Sequence, residues 1–143
     1  MSVKAPMSKV LLDTNVLIYS IDEESKYFKK AQNLISEQNR DLFTTSKNLS
    51  EFLAVITRFP GNSLTLKKAL TVLQDFKTFI TILYPNEKSY KIFIDLLKKY
   101  EPTGLQIHDF EIISIALAHQ IDNIATFNIK DFKRVAEVKL YSL

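Results

Sequence analysis

The chain of 143 residues contains no cysteine. That excludes a disulfide framework, a thiolate zinc site and a cysteine nucleophile, and it fits a reducing cytoplasm. Glycine and proline are scarce, at two and four residues, too few for a low-complexity or disordered chain. No apolar run approaches the length of a membrane span. The residues before Lys9 lack the apolar stretch of a secretory signal. No excess of one charge stands out: 19 Lys and Arg face 16 Asp and Glu, for a net charge of +3. Such a balance permits a polyanionic partner without pointing to one. What is present is ordinary for a globular protein, with 46% hydrophobic and 24% charged residues. A chain of this length can bury a core without covalent staples. We expect a single domain over residues 9–143, preceded by a short extension at residues 1–8 in which Met7 is a second possible start.

Apolar periodicity predicts alternating strands and helices. Residues 9–13 read as a buried strand that ends on Asp13, and Val16-Leu17-Ile18-Tyr19 as a short helix after it. Ser25 is placed to cap a helix running to about Gln38, with Phe28, Ala31, Leu34 and Ile35 on one face. Residues 42–45 form a second short strand. Ser46 or Asn48 starts a helix with the stripe Leu49, Phe52, Leu53 and Ile56. Pro60-Gly61-Asn62 breaks the chain, and Ser63 is the expected cap of a helix carrying Leu66, Leu70 and Leu73. Leu66, Leu70, Leu73, Phe76 and Phe79 are favoured for the core, with an apolar interface as the alternative. Residues 79–84 form a strand, followed by a helix through Ile92, Leu96, Leu97 and Tyr100. Asp109 opens a strongly apolar helix that runs to His119. A strand over 123–127, a helical turn over 130–135 and a strand over 138–141 complete the chain. This alternation implies a mainly parallel sheet covered on both faces.

Three acids interrupt strongly apolar segments: Asp13, Glu51 and Asp109. Each has an ordinary structural explanation. Asp13-Thr14-Asn15 is turn chemistry. Glu51 stands three residues after Asn48 and could complete a capping pair. Asp109 could cap the helix that follows it. Spacing argues for more at Asp109, which begins the stripe Ile112, Ile113, Ala116 and Leu117 that should face the sheet. A carboxylate there must be compensated. One divalent cation could compensate all three acids, and such a site suits phosphodiester hydrolysis. In open α/β sheets ligands bind beyond the carboxyl ends of the strands, where Asp13 stands.

The segments Leu11-Leu12-Asp13-Thr14-Asn15-Val16-Leu17-Ile18, Asn48-Leu49-Ser50-Glu51-Phe52, His108-Asp109-Phe110-Glu111-Ile112-Ile113-Ser114-Ile115-Ala116 and Thr126-Phe127-Asn128-Ile129-Lys130-Asp131-Phe132 together resemble a PIN domain of the VapC toxin type. The resemblance covers the chain from Lys9 onward. It implies a Rossmann-like three-layer α/β/α sandwich with a central, mainly parallel sheet. It also implies a Mg²⁺- or Mn²⁺-dependent endoribonuclease acting on RNA, cytoplasmic and free of membrane, with a cognate antitoxin and a homodimeric state. The metal ligands implied are Asp13, Glu51 and Asp109. A fourth catalytic position, often acidic in the family, falls on Asn128, which keeps only a carbonyl acceptor. Asn15 and Thr126 are candidates to orient a carboxylate or a water. Asp131 could substitute for the missing acid or cap the following turn, and the cap is favoured. Lys130 and Lys133 are the basic residues nearest the site strand and the candidates for phosphate contacts. His108 and His119 lack the spacing of a metal-binding pair and are read as structural or solvated.

Competing readings separate on single residues. A catalytically silent RNA-binding or scaffold module of the same fold is supported by the neutral Asn128. A phosphohydrolase with Asp13 as nucleophile would want a second Asp where Asn15 stands. A phospho-receiver domain would need paired acids after the first strand, which are not there.

Overall fold

The computed structural model describes residues 8–37, 40–58 and 60–143. Most of the expected N-terminal extension and the expected helix end at Gln38 lie outside these residues. Ser8 already belongs to the first strand.

The elements follow in the order β1 (Ser8–Leu12), α1 (Thr14–Tyr19), α2 (Phe28–Ser36), β2 (Arg40–Thr45), α3 (Ser46–Ile56), α4 (Leu66–Phe76), β3 (Ile80–Leu83), α5 (Glu87–Tyr100), α6 (Gln106–Ala118), β4 (Asn123–Ala125), α7 (Ile129–Phe132) and β5 (Lys139–Leu140). The five strands form one sheet in the order β3-β2-β1-β4-β5. Every pairing is parallel, with Val10 opposite Leu42 and Leu12 opposite Ala125. The strand order turns back at β1, which lies between β2 and β4, so the crevice of a parallel sheet opens at the end of β1.

Side chains alternate across the sheet and build two cores. Val10, Leu12, Leu42, Ile80 and Ala125 point to one face, where Leu17, Leu34, Phe52 and Phe76 from α1 to α4 cover them. Leu11 and Ile124 point to the other, under Leu96, Phe110, Ile113 and Phe132 from α5 to α7. This is the three-layer sandwich expected from the apolar runs. Val10, Leu11 and Leu12 are fully buried. Each contributes roughly 1.5–3 kcal/mol by leaving water, so together they can hold a hydrogen-bonded carboxylate in place at the strand's end.

Several local expectations are corrected. The cap of α4 is Thr65, whose hydroxyl accepts from Lys68 N at 3.2 Å, and not Ser63. Leu64 explains the shift. Its amide donates to Ile56 O at 2.9 Å and its side chain packs on the core, so the helix cannot begin until the chain has passed it. Ser25 does not cap α2 directly. Its hydroxyl accepts from Tyr27 N, and Tyr27 takes the cap position with no side-chain cap of its own. On α4 and just after it, Phe76 is buried as assigned, but Leu66, Leu70 and Phe79 are 59%, 45% and 51% exposed. The inward face of α4 is carried by Ala69 and Phe76 instead.

Candidate active site

Asp13 stands at the carboxyl end of β1 and caps α1. Its turn role is real: Oδ1 accepts from Thr14 N at 2.8 Å. Its other oxygen, Oδ2, is held from the neighbouring strand, where Thr126 Oγ1 donates at 2.8 Å. The two roles coexist because the carboxylate has lone pairs enough for both. Asn15 ties the same two strand ends together. Its Nδ2 donates to Thr126 Oγ1 at 3.2 Å and to Asp13 Oδ2 at 3.4 Å, and its Oδ1 accepts from Phe127 N at 3.1 Å. Asn15 lies within α1, so its side chain bridges β1 and β4 and does not cap. Thr126 Oγ1 also accepts from Asn128 N at 2.9 Å, fixing the start of α7.

Glu51 approaches from α3. The capping box there is made by Thr45 and Asn48, and Glu51 takes no part in it. Glu51 Oε2 accepts instead from Thr14 Oγ1 at 3.0 Å. Asn48 is fully buried and knits the region together. It donates from Nδ2 to Thr14 Oγ1 at 2.9 Å and to Asp13 Oδ1 at 3.4 Å, while its Oδ1 accepts from Thr45 N and Oγ1. The sequence reading gave Asn48 only a capping role. Its burial beside Asp13 could not be read from local pattern.

Asp109 does not open its helix. Gly104, at φ +61°, turns the chain, and α6 begins at Gln106, so Asp109 falls in the first helical turn. There it is half-buried. The helix behind it is buried on nearly all sides, with Phe110, Ile112, Ile113, Ser114, Ile115, Ala116 and Ala118 enclosed. Burial pushes the Asp109 carboxyl up to about 7, and repulsion from Asp13, Asp131 and Glu51 adds to it. Burial also raises Asp13, opposed by its hydrogen bonds from Thr126 and Thr14 and reinforced by Glu51 and Asp131. Four carboxylates therefore share one field, drawn from β1, α3, α6 and α7.

The fourth of them corrects the favoured reading of Asp131. Asn128 occupies the cap position of α7, without a side-chain cap bond, and Asp131 lies in the first turn. Asp131 lines a cleft of about 410 Å³ together with Lys47, Glu51, Leu105, His108 and Asp109. Asp13 sits beneath this cleft and does not line it. Asn128, Lys130 on α7 and Lys133 just after it are exposed, and none of the three lines the cleft. Among the described residues Lys47 is the one lysine or arginine that does. Sequence reasoning passed over it, although its spacing of four from Glu51 puts both on one face of α3. His119 Nδ1 lies 2.9 Å from Ile115 O within its own helix, in keeping with a structural role.

Hard oxygen donors of this kind suit Mg²⁺ or Mn²⁺, and a divalent cation would relieve the repulsion that adds to the effect of burial on Asp13 and Asp109. Among the described residues no three acidic or histidine side chains close on one point at the spacing of a metal's ligands. The fit is therefore one of donor chemistry and charge.

The model of the PIN domain matches residues 10–138. Among solved structures, the chain is similar to VapBC2 from Rickettsia felis, bound to a DNA fragment from its promoter. Identity is 22% over 94% of this chain and 98% of that one, with a TM-score of 0.72. It is similar to DNA-bound VapBC from Salmonella typhimurium, at 22% identity over 94% and 98% of the two chains and a TM-score of 0.68. It is also similar to VapC20 of Mycobacterium tuberculosis, described as a sarcin-ricin loop cleaving toxin, at 13% identity over 90% and 98% and a TM-score of 0.69. A sequence search of curated proteins gave no significant match.

Proposed function

The chain belongs to the PIN domain family, and on that premise we propose that it is a metal-dependent endoribonuclease, the toxin of a toxin–antitoxin pair, hydrolysing RNA phosphodiester bonds. The observation that carries this reading is the gathering of Asp13, Glu51, Asp109 and Asp131 at the carboxyl edge of the parallel sheet, where burial, reinforced by the other three carboxylates, lifts Asp109 to about 7. Carboxylates gathered in this way have no stabilising purpose of their own.

Asp13, Glu51 and Asp109 would hold Mg²⁺ or Mn²⁺. When bound, such an ion supplies charge neutralisation at the phosphoryl group and activation of water. Thr126 and Asn15 fix the direction of Asp13, and Thr14 fixes that of Glu51. Asp131, on the cleft wall, orders a water or a ligand, and Asn128 supports a water or ligand from the start of α7. Lys130 and Lys133 contact phosphates farther along the strand. The scissile phosphate lies in the cleft over Asp109.

The similar structures include toxin–antitoxin complexes by their descriptions, which supports an antitoxin partner here. An apolar hollow of about 250 Å³, lined by Ile18, Ile21, Ile56, Leu64 and Val72 among others, offers a seat for an antitoxin tail. The exposed Leu66, Leu70 and Phe79 suit contact with a second copy. No helix among the described residues is long and apolar enough to cross a membrane, and a cytoplasmic location agrees with the lack of cysteine. In this reading a single PIN domain runs from β1, which begins at Ser8, to residue 143.

The neutral Asn128 and the lack of a closed three-acid group among the described residues favour one other reading, a catalytically silent RNA-binding module. Purified protein incubated with structured RNA separates the two. Cleavage that requires Mg²⁺ or Mn²⁺ and stops in excess EDTA supports the nuclease. RNA binding with no cleavage under any metal supports the silent module.

A further inference from the structure

We propose that Lys47 is a phosphate-binding residue of this cleft, exchanging Glu111 for the RNA phosphate next to the one cleaved. The inference rests on the ribonuclease reading and names what holds the substrate there. A cleft walled by Glu51, Asp109 and Asp131 repels a polyanion, so a cation must stand beside them. Lys47 is the lysine so placed. It lines the acid cleft and also a groove of about 290 Å³ whose other lining residues are Ser46, Ser50, Glu51, Pro85, Glu111 and Ile115. Lys47 and Glu51 are common to the lining of both.

Lys47 Nζ lies 3.0 Å from Glu111 Oε2, with side chains 25% and 36% exposed. The pair is half-buried and makes a single contact, and its remaining access to water lets the ammonium exchange partners. The position also opposes helix stability: Lys47 is in the first turn of α3, where the positive end of the helix disfavours a cation and favours an anion. A lysine kept there for folding alone would sit at the wrong end. A phosphate arriving over Lys47 meets the ammonium and the hydroxyls of Ser46 and Ser50, with Glu51 and Glu111 beside them. Glu111 holds the ammonium ready near the groove until then.

The test uses the full chain with Lys47→Gln, Glu111→Gln and the double variant. Binding of a short fluorescein-labelled single-stranded RNA is followed by anisotropy in excess EDTA across a range of salt, and KM and kcat for RNA cleavage are measured in Mn²⁺. We expect Lys47→Gln to weaken binding several-fold, to raise KM with kcat near that of the unchanged chain, and to flatten the salt slope by about 0.7 for one lost phosphate contact on a single strand. Glu111→Gln frees the ammonium and should tighten binding. The double variant should match Lys47→Gln. If the pair only staples α3 to α6, both single variants lower the melting temperature together and leave slope and KM unchanged, which overturns the inference and spares the ribonuclease reading. An unchanged chain that neither binds nor cleaves RNA overturns both.

Discussion

At the scale of single residues, the site is a set of acids in which each group's neighbours decide its state. Asp13 is held by hydrogen bonds from Thr14, Asn15, Asn48 and Thr126. No hydrogen bond compensates the shift of Asp109, which burial and the other acids push up to about 7. Replacing either by the nearly isosteric Asn deletes one charge from the proposed metal site. Asp13→Asn and Asp109→Asn should each abolish RNA cleavage while the circular-dichroism spectrum stays unchanged. A melting transition that collapses in step with activity would instead assign them to structure. Asn128 is exposed at the start of α7 with no cap bond to lose. Asn128→Asp should therefore add a ligand and tighten Mn²⁺ binding in calorimetric titration, and unchanged affinity would place the residue outside the metal's reach.

At the scale of elements, α3 joins the site to the fold. Its capping box uses Asn48, and the same side chain reaches Thr14 and Asp13. Asn48→Ala removes a cap contact worth about 1 kcal/mol and leaves buried partners unpaired at roughly 1–3 kcal/mol. We expect a loss of about 2 kcal/mol in urea unfolding, together with reduced cleavage because Thr14 and Glu51 lose their alignment. A variant as stable and active as the parent would show that Asn48 is replaceable by water. The elements themselves were largely legible in the sequence. Short apolar runs such as Val10-Leu11-Leu12, ended by turn residues, read as buried strands, and the order of strands and helices follows. What local pattern could not show was which of two hydroxyls caps α4, because the packing of Leu64 decides between Ser63 and Thr65. Nor could it place Asp109 within the first turn rather than at the cap, since Gly104 and the bond from Ile107 N to Gly104 O set the start. Asp13, Glu51 and Asp109 stood out because each breaks an apolar stretch. Asp131 and Lys47 lie among other polar residues, and only the fold brings them to the cleft.

At the scale of the whole molecule, a chain of net charge +3 carries a concentrated negative site, and partners, cations and protons all compete for it. A protein inhibitor can use an arginine, which pairs with carboxylates through two parallel hydrogen bonds. Exchange of a partner's site-facing Arg for Ala should restore cleavage while the complex survives in size-exclusion chromatography. A partner that inhibits without any basic residue near Asp13 or Asp109 would have to act by covering the RNA path. Protons compete in a way that melting experiments can read. Asp109 has a pKa of about 7 in the folded chain against 3.8 for the ordinary group. Its raised value means that the folded state holds a proton the unfolded chain has already released. The stabilisation from that proton is fully present below about 4 and is lost as the pH rises through about 7. Without divalent metal, the melting temperature should therefore fall between these limits, and Asp109→Asn should flatten the fall. Asp13, also raised, adds to the slope in the same direction. Mn²⁺ binds only the ionised carboxylates, so the stabilisation it confers should grow as the pH climbs through the same window. Melting curves at fixed Mn²⁺ should converge on the metal-free curves at low pH and separate from them near neutrality. A metal effect equal at both ends of the window would place Mn²⁺ away from Asp13 and Asp109.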